Sequence, residues 1–82
     1  MDYYVYVLEC SNKALYTGIT TDLKRRFKEH KSGKGSRYTE YNPPKKIKYY
    51  EIYKSRSKAA KREAEIKKLA RSEKLFLIKN GK

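Results

Sequence analysis

A helix predicted over residues 22–32 carries polar side chains at positions where packing alone would favour apolar ones. One face of this helix holds four residues at the spacing i, i+3, i+4 and i+7, namely Leu23, Arg26, Phe27 and His30. An amphipathic helix that only packs would have Leu or Ile at positions 26 and 30. Either Arg26 extends to solvent and His30 lies at the edge of the core with its hydrogen bonds satisfied, or both side chains face a polar site. Arg25 falls off this face and is predicted to be a surface charge.

Glu63 is a carboxylate on the apolar face of a second helix, predicted over residues 58–70. At 100° per residue it falls among three apolar side chains, those of Ala59, Ile66 and Ala70. Burying a charged carboxylate is costly unless it meets a cation or a metal ion. Two partners are consistent with this position, an internal ion pair with Arg26 or a bound metal.

Tyrosines and a glycine share the faces of a hairpin predicted at the N-terminus. Tyr4 and Tyr6 lie on one face of the first strand, and Tyr16 and Gly18 lie on one face of the second. Tyrosines on strands usually serve packing. Glycine weakens a strand unless another group must approach the backbone closely, so Gly18 indicates a pocket beside Tyr16.

Three strands and three helices would position these side chains. β-Branched and aromatic residues predict strands at 3–9, 14–19 and 46–54, and turn residues join the first two into a hairpin. A loop is predicted between them and the third strand, at 33–44. Hydroxyl side chains predict the helix starts, at Thr20 or Thr21, at Ser55 or Ser57, and at Ser72.

The order ββαβαα predicts an α+β fold in which helices flank a small three-stranded antiparallel sheet. The last helix is predicted to end near residues 80–81, where Asn and Gly follow each other. With 82 residues the chain is expected to form a single domain over residues 1–82, because so short a sequence supports one core.

The charge of the chain predicts a polyanionic partner. Lys and Arg number 22 against 9 Asp and Glu, a net charge of +13, and basic residues dominate residues 24–37 and 54–74. A charge run is often only a solvated face. Nine tyrosines favour nucleic acid, because phenol rings stack on bases and hydroxyls bind phosphate. The predicted contacts are Lys24, Arg25, Lys28, Lys34, Arg37, Lys61 and Arg62.

Several other function classes are disfavoured. The basic helix lacks the large apolar face that binding to a membrane surface requires. Cys10 has no intrachain partner, and neither a signal peptide nor a membrane-spanning stretch is present, so a reducing cytoplasm is the expected compartment. No small-molecule cofactor is predicted.

Taken together, these residues resemble the GIY-YIG nuclease domain over essentially the whole chain. The hallmark positions are Tyr4-Val5-Tyr6, Tyr16-Thr17-Gly18, Arg26 with His30 in the motif Leu-x-x-Arg-x-x-x-His, and Glu63 on a later helix. The loop Gly35-Ser36-Arg37-Tyr38-Thr39 and the short length resemble the stand-alone bacterial UPF0213 subgroup. Tyr4 stands where the first motif usually has Gly, and Thr17 where the second usually has Ile or Val.

The resemblance implies metal-dependent hydrolysis of phosphodiester bonds, in DNA repair, recombination or processing. Glu63 would hold Mg²⁺ or Mn²⁺, and Arg26 would bind the scissile phosphate. Tyr6 or Tyr16 would orient or deprotonate the attacking water, with His30 as the alternative base or a phosphate contact. DNA is favoured over RNA as the substrate, with low sequence selectivity or a protein partner that supplies target choice.

Two alternatives remain open. The chain could be a binding module of the same fold without turnover, or a small RNA-binding structural protein. An ordinary basic RNA binder has no need of an inward-facing Glu63, so a metal ion at Glu63 would discriminate between these readings.

Overall fold

The computed structural model describes residues 1–81, and Lys82, the last residue of the predicted domain, lies outside them. The elements in chain order are β1 Tyr3–Cys10, β2 Leu15–Thr20, α1 Leu23–Lys31, α2 Arg37–Tyr41, β3 Pro44–Tyr53, α3 Arg56–Lys68 and α4 Arg71–Asn80. The strands form one antiparallel sheet in the order β2-β1-β3. The predicted α+β fold is confirmed, and α2 is an additional short helix within the segment predicted as a loop.

Local hydrogen bonds explain why the short helix α2 forms in a segment whose glycines and prolines predict a loop. The Ser36 hydroxyl accepts the backbone N–H of Thr39 at 3.2 Å, and the Ser36 carbonyl accepts that of Glu40 at 3.0 Å. These bonds satisfy the first turn of the helix, as an N-cap does. Thr39 is fully buried, so tertiary contacts on one side stabilise a helix of five residues.

Two helix starts differ from the predicted ones. Asp22, rather than Thr20 or Thr21, caps α1, and its Oδ1 accepts the backbone N–H of Arg25 at 3.1 Å. Helix α4 begins after Ala70 instead of at Ser72, because the Glu73 carboxylate accepts the Ala70 N–H at 2.7 Å. A carboxylate reaching back to the start of a helix satisfies the same backbone donors as a serine cap.

The two faces of the sheet are covered by different helices. Val5 and Val7 of β1 pack against Ala59 and Ile66 of α3 in the main apolar cluster. Side chains alternate along a strand, so Tyr6 points to the opposite face, where it contacts His30 of α1. The sheet is therefore flanked by helices, as predicted. None of the helices within residues 1–81 is long and apolar enough to cross a membrane.

A hydrogen-bonded ion pair fixes α3 to the edge strand β3. The Glu51 carboxylate accepts two bonds from the Arg62 guanidinium, at 2.9 and 3.1 Å. It also accepts bonds from the hydroxyls of Tyr49 and Tyr53, which share its face of β3. Burial raises the pKa of Glu51, but the bonds from Arg62 and the two phenols outweigh it and leave that pKa below its usual value.

Replacing Glu51 is therefore expected to destabilise the fold. Glu51→Gln leaves the half-buried Arg62 without its anion and should lower the free energy of unfolding by about 2 kcal/mol. That figure lies below the value for fully buried pairs because both side chains keep some solvent contact. The control is Glu65→Gln, which removes an exposed contact to the same Arg62 and should cost under about 1 kcal/mol. Equal losses in urea unfolding would contradict this assignment.

Candidate active site

A chain of buried hydrogen bonds crosses from the sheet to the helices through His30. The Tyr6 hydroxyl lies 2.8 Å from Nε2 of His30, and Nδ1 of His30 lies 2.7 Å from the Thr39 hydroxyl. Thr39 in turn lies 3.0 Å from the Ser36 hydroxyl. Tyr6, His30 and Thr39 are all buried, so each polar atom depends on its neighbour in this chain.

Two glycines leave the space that this chain occupies. A side-chain carbon at Gly18 would lie 2.3 Å from the Tyr6 hydroxyl, and one at Gly35 would lie 2.2 Å from Nδ1 of His30. Both distances are far below van der Waals contact. The pocket that Gly18 indicates beside Tyr16 is filled by the ring of Tyr6 itself.

Arg26 lies at the border of the buried chain. Its guanidinium donates one bond to the Glu29 carboxylate and one to the Gly35 carbonyl, each at 2.9 Å. The side chain keeps 32% of its surface exposed, so Arg26 lies between the buried chain and solvent. His30 is therefore buried in a polar network and does not lie at an edge, and Arg26 is anchored beside it.

Tyr16 completes an aromatic cluster around His30. Its ring centroid lies 5.1 Å from that of His30 in an edge-on arrangement, and Tyr6 contacts the same imidazole at 5.9 Å. On another side, Tyr16 lies nearly parallel to Tyr38, with ring centroids 6.2 Å apart. Tyr16 is only partly buried, so it lies between the enclosed His30 and the surface.

The protonation states follow from burial. Burial, aided by the charge of Arg26, lowers the pKa of His30, so the imidazole is neutral at pH 7 and one ring nitrogen can accept a proton. Burial also raises the pKa of Tyr6 to about 12, although nearby Arg26 opposes that shift. Tyr6 is therefore a protonated phenol that can donate its hydrogen bond to Nε2 of His30.

The lowered pKa of His30 predicts a pH dependence of stability. The unfolded chain has an ordinary histidine pKa of about 6.5 and therefore takes up a proton before the folded chain does. The free energy of unfolding should then decrease as the pH falls below that value and through the folded pKa. His30 is the single histidine of the chain, so urea unfolding between pH 7.5 and about 5.5, above the range in which carboxyl groups titrate, reports its contribution. His30→Gln should flatten this slope, and an unchanged slope would refute the assignment.

Glu63 stands apart from this hydrogen-bonded group. It forms an ion pair with Lys67 at 3.3 Å, and its side chain is 21% exposed. The predicted alternative of an ion pair with Arg26 is not formed, since Arg26 contacts Glu29 and Gly35. Burial is the main cause of the raised pKa of Tyr6, and the charge of Glu63 adds only the smallest contribution to that shift.

The seven predicted nucleic-acid contacts divide into two groups. Six are exposed cations, Lys24, Arg25, Lys28, Lys34, Arg37 and Lys61. Arg62 differs because its guanidinium is held by Glu51 and Glu65. The main role of that guanidinium is therefore to hold α3 against β3.

Several residues of the site were not predicted from the sequence. Thr39 and Ser36 extend the chain from His30, Glu29 anchors Arg26, and Tyr38 lies against Tyr16. Two signals were available for this segment, the resemblance of the loop at 35–39 to the UPF0213 subgroup and the spacing of Ser36 and Thr39, which allows a serine cap on a short helix. The contact of Thr39 with His30 joins residues nine positions apart, and local patterns do not encode it.

Comparison with known proteins identifies the family of this chain. Residues 2–76 match the model of the GIY-YIG catalytic domain, and the chain belongs to the GIY-YIG family of nuclease domains. Within that family it is 53% identical over 79 residues to a UPF0213 protein of Syntrophus aciditrophicus, covering 95% of this chain and 91% of that protein. A UPF0213 protein of Haloquadratum walsbyi is 44% identical over 79 residues, and the match covers 96% of this chain and 89% of that protein.

Solved structures show the same fold. The UPF0213 protein BH0048 from Bacillus halodurans, determined by NMR in solution, aligns with a TM-score of 0.64 and 41% identity over 99% of this chain and 86% of that one. The protein EF2693 from E. faecalis aligns with a TM-score of 0.62 and 37% identity, and the match covers 94% of this chain and 83% of that one. The resemblance to the GIY-YIG domain and its UPF0213 subgroup is thereby confirmed.

Proposed function

We propose that this chain is an endonuclease that hydrolyses phosphodiester bonds of nucleic acid, DNA in preference to RNA, with one Mg²⁺ or Mn²⁺ ion. The observation that supports this most is the buried chain from Tyr6 through His30 to Thr39, bordered by the guanidinium of Arg26. Such an arrangement combines a proton path with a cation that fits a phosphate. DNA repair, recombination and processing are the processes that need such an activity.

Four residues of the cluster have distinct roles in the proposed reaction. Arg26 binds the scissile phosphate through its exposed surface, and Tyr16 orients the attacking water. Tyr6 accepts the proton of that water while its own proton moves to Nε2 of neutral His30. As the new bond to phosphorus forms, the bond to the 3′ oxygen breaks, and that oxygen takes a proton from solvent.

Glu63 is the proposed ligand of the metal ion. No group of three or more His, Cys, Asp or Glu side chains within residues 1–81 is arranged to hold a metal. A single partly exposed carboxylate still fits Mg²⁺, which keeps several water ligands and takes phosphate oxygens from its substrate. When bound, the ion would neutralise charge that develops on the phosphate oxygens.

A binding module of the same fold remains the second candidate. The observation in its favour is that the Glu63 carboxylate forms an ion pair with Lys67 and has no hydrogen bond to Tyr6 or Tyr16. A panel of labelled branched, nicked, duplex and single-stranded substrates separates the two candidates. We expect cleavage of at least one substrate with Mg²⁺ or Mn²⁺ and none with chelator, whereas binding without cleavage under every condition would select the module.

Binding is expected to be electrostatic and largely independent of sequence. If the exposed cations neutralise five or six phosphates, the plot of log K against log salt should have a slope of about −5 on duplex DNA. Fluorescence anisotropy in chelator at four salt concentrations measures this slope. A slope near zero, or no binding at low salt, would remove nucleic acid as the partner.

A further inference from the structure

The ring of Tyr38 is held in one orientation although it is 41% exposed. Its hydroxyl accepts a hydrogen bond from Nδ2 of Asn12 at 3.0 Å. Asn12 is itself fixed, because its Oδ1 accepts the backbone N–H of Ala14 at 3.1 Å within the turn between β1 and β2. On one side Tyr38 lies against Tyr16, with ring planes only 12° apart. A surface tyrosine fixed at both its hydroxyl and its ring has lost the freedom that binding would otherwise remove.

The position of Tyr38 relative to the proposed reaction centre is also defined. Tyr16 contacts both Tyr38 and His30, so one aromatic ring separates Tyr38 from the buried hydrogen-bonded chain. Residue 39, its neighbour in α2, hydrogen-bonds His30 directly. Arg37, its other neighbour, is an exposed cation able to reach a phosphate. A flat apolar surface beside a cation is the combination that binds single-stranded nucleic acid.

We infer that Tyr38 is a stacking site for one unpaired nucleobase next to the scissile phosphate. A base inside a duplex has both faces covered by its neighbours and cannot stack on Tyr38 unless it leaves the helix. Substrates whose base at this position is already unstacked avoid that cost, as in single strands and at junctions. The inference rests on the proposed function and narrows its substrate class to nucleic acid that is unpaired at the cutting position.

The main test uses single-stranded DNA carrying 2-aminopurine, a base whose fluorescence falls when it stacks, and is performed in chelator. Wild-type protein should quench the signal. Tyr38→Ala should abolish that quenching and weaken binding roughly tenfold, while Tyr38→Phe, which keeps the ring, should retain most of both. The matched control is Tyr50→Ala, which removes a tyrosine of similar exposure, 47%, from the edge strand β3. It should change neither quenching nor binding.

A second measurement needs no protein variant, so it stands even if Tyr38→Ala fails to fold. A strand made only of abasic nucleotides offers no base to stack, and wild-type affinity for it should be roughly tenfold lower than for an ordinary strand of the same length. Equal affinity for the two strands, or Tyr38→Ala equal to wild type in quenching, would overturn the stacking site while the nuclease proposal stands if cleavage persists. Failure of wild-type protein to bind or cut any nucleic acid would overturn both.

Discussion

Glu63→Gln is expected to reduce cleavage by roughly 10²-fold or more without loss of nucleic-acid binding. Glutamine keeps the shape and hydrogen-bonding capacity of the side chain but removes the charge that a divalent cation requires, and loss of a catalytic electrostatic group commonly has an effect of this size. Affinity measured in chelator should hold or increase slightly, because one repulsive charge is removed. Single-turnover cleavage and anisotropy on the same preparation give both numbers.

Thermal melting distinguishes this expectation from a structural role of Glu63. Arg26 has its own partners, so the substitution strands no buried cation, and the partly exposed pair with Lys67 contributes little to stability. We therefore expect the Tm to change by no more than about a degree. Glu65→Gln, on an exposed position of the same helix, should leave cleavage unchanged. A Glu63→Gln protein that melts several degrees lower and cuts as the wild type does would make Glu63 structural and the chain a binding module.

Gly18→Ala has the second-largest expected effect, because its methyl group would occupy the place of the Tyr6 hydroxyl. Tyr6 is buried and cannot swing into solvent, so the ring must shift away from His30. Overpacking of this kind costs about 1–3 kcal/mol, and loss of the Tyr6–His30 contact should lower cleavage roughly 10²-fold. Urea unfolding and single-turnover cleavage measure the two losses.

A double-mutant cycle with Tyr6→Leu identifies the cause. Leucine lacks the ring atoms that the new methyl group would meet, so Gly18→Ala should cost much less stability in the Tyr6→Leu background than in wild type. Equal costs in both backgrounds would mean that position 18 requires glycine for a reason other than the approach of Tyr6.

Periodicity predicted the parts of the site that lie on one element. The alternation along β1 put Tyr4 and Tyr6 on one face of that strand, and the spacing within α1 put Arg26 and His30 on one face of that helix. Both arrangements depend only on strand and helix geometry. The three strands and the flanking helices follow from the same local patterns.

The sequence could not predict which partner each polar group takes. Arg26 could pair with Glu63 or, within its own helix, with Glu29, and the structure shows that Glu29 and the Gly35 carbonyl hold it. Likewise Arg62 resembled an exposed cation until the pairing of β3 brought Glu51 beneath α3. Such choices depend on distances between elements, which intrinsic propensities do not specify.

The central claim is that the chain hydrolyses phosphodiester bonds by attack of water. It is tested most directly by following the oxygen atom of that water into the product. Wild-type protein is incubated with Mg²⁺ and a labelled DNA strand in water enriched in ¹⁸O. The masses of the products are then measured by mass spectrometry. Direct hydrolysis predicts a 3′ hydroxyl on one product and, on the other, a 5′ phosphate carrying one oxygen from the solvent. Chelator, or Glu63→Gln prepared in parallel, should suppress this product. Intact strand under all conditions, or a product ending in a 3′ or cyclic phosphate, would contradict water attack with departure of the 3′ oxygen.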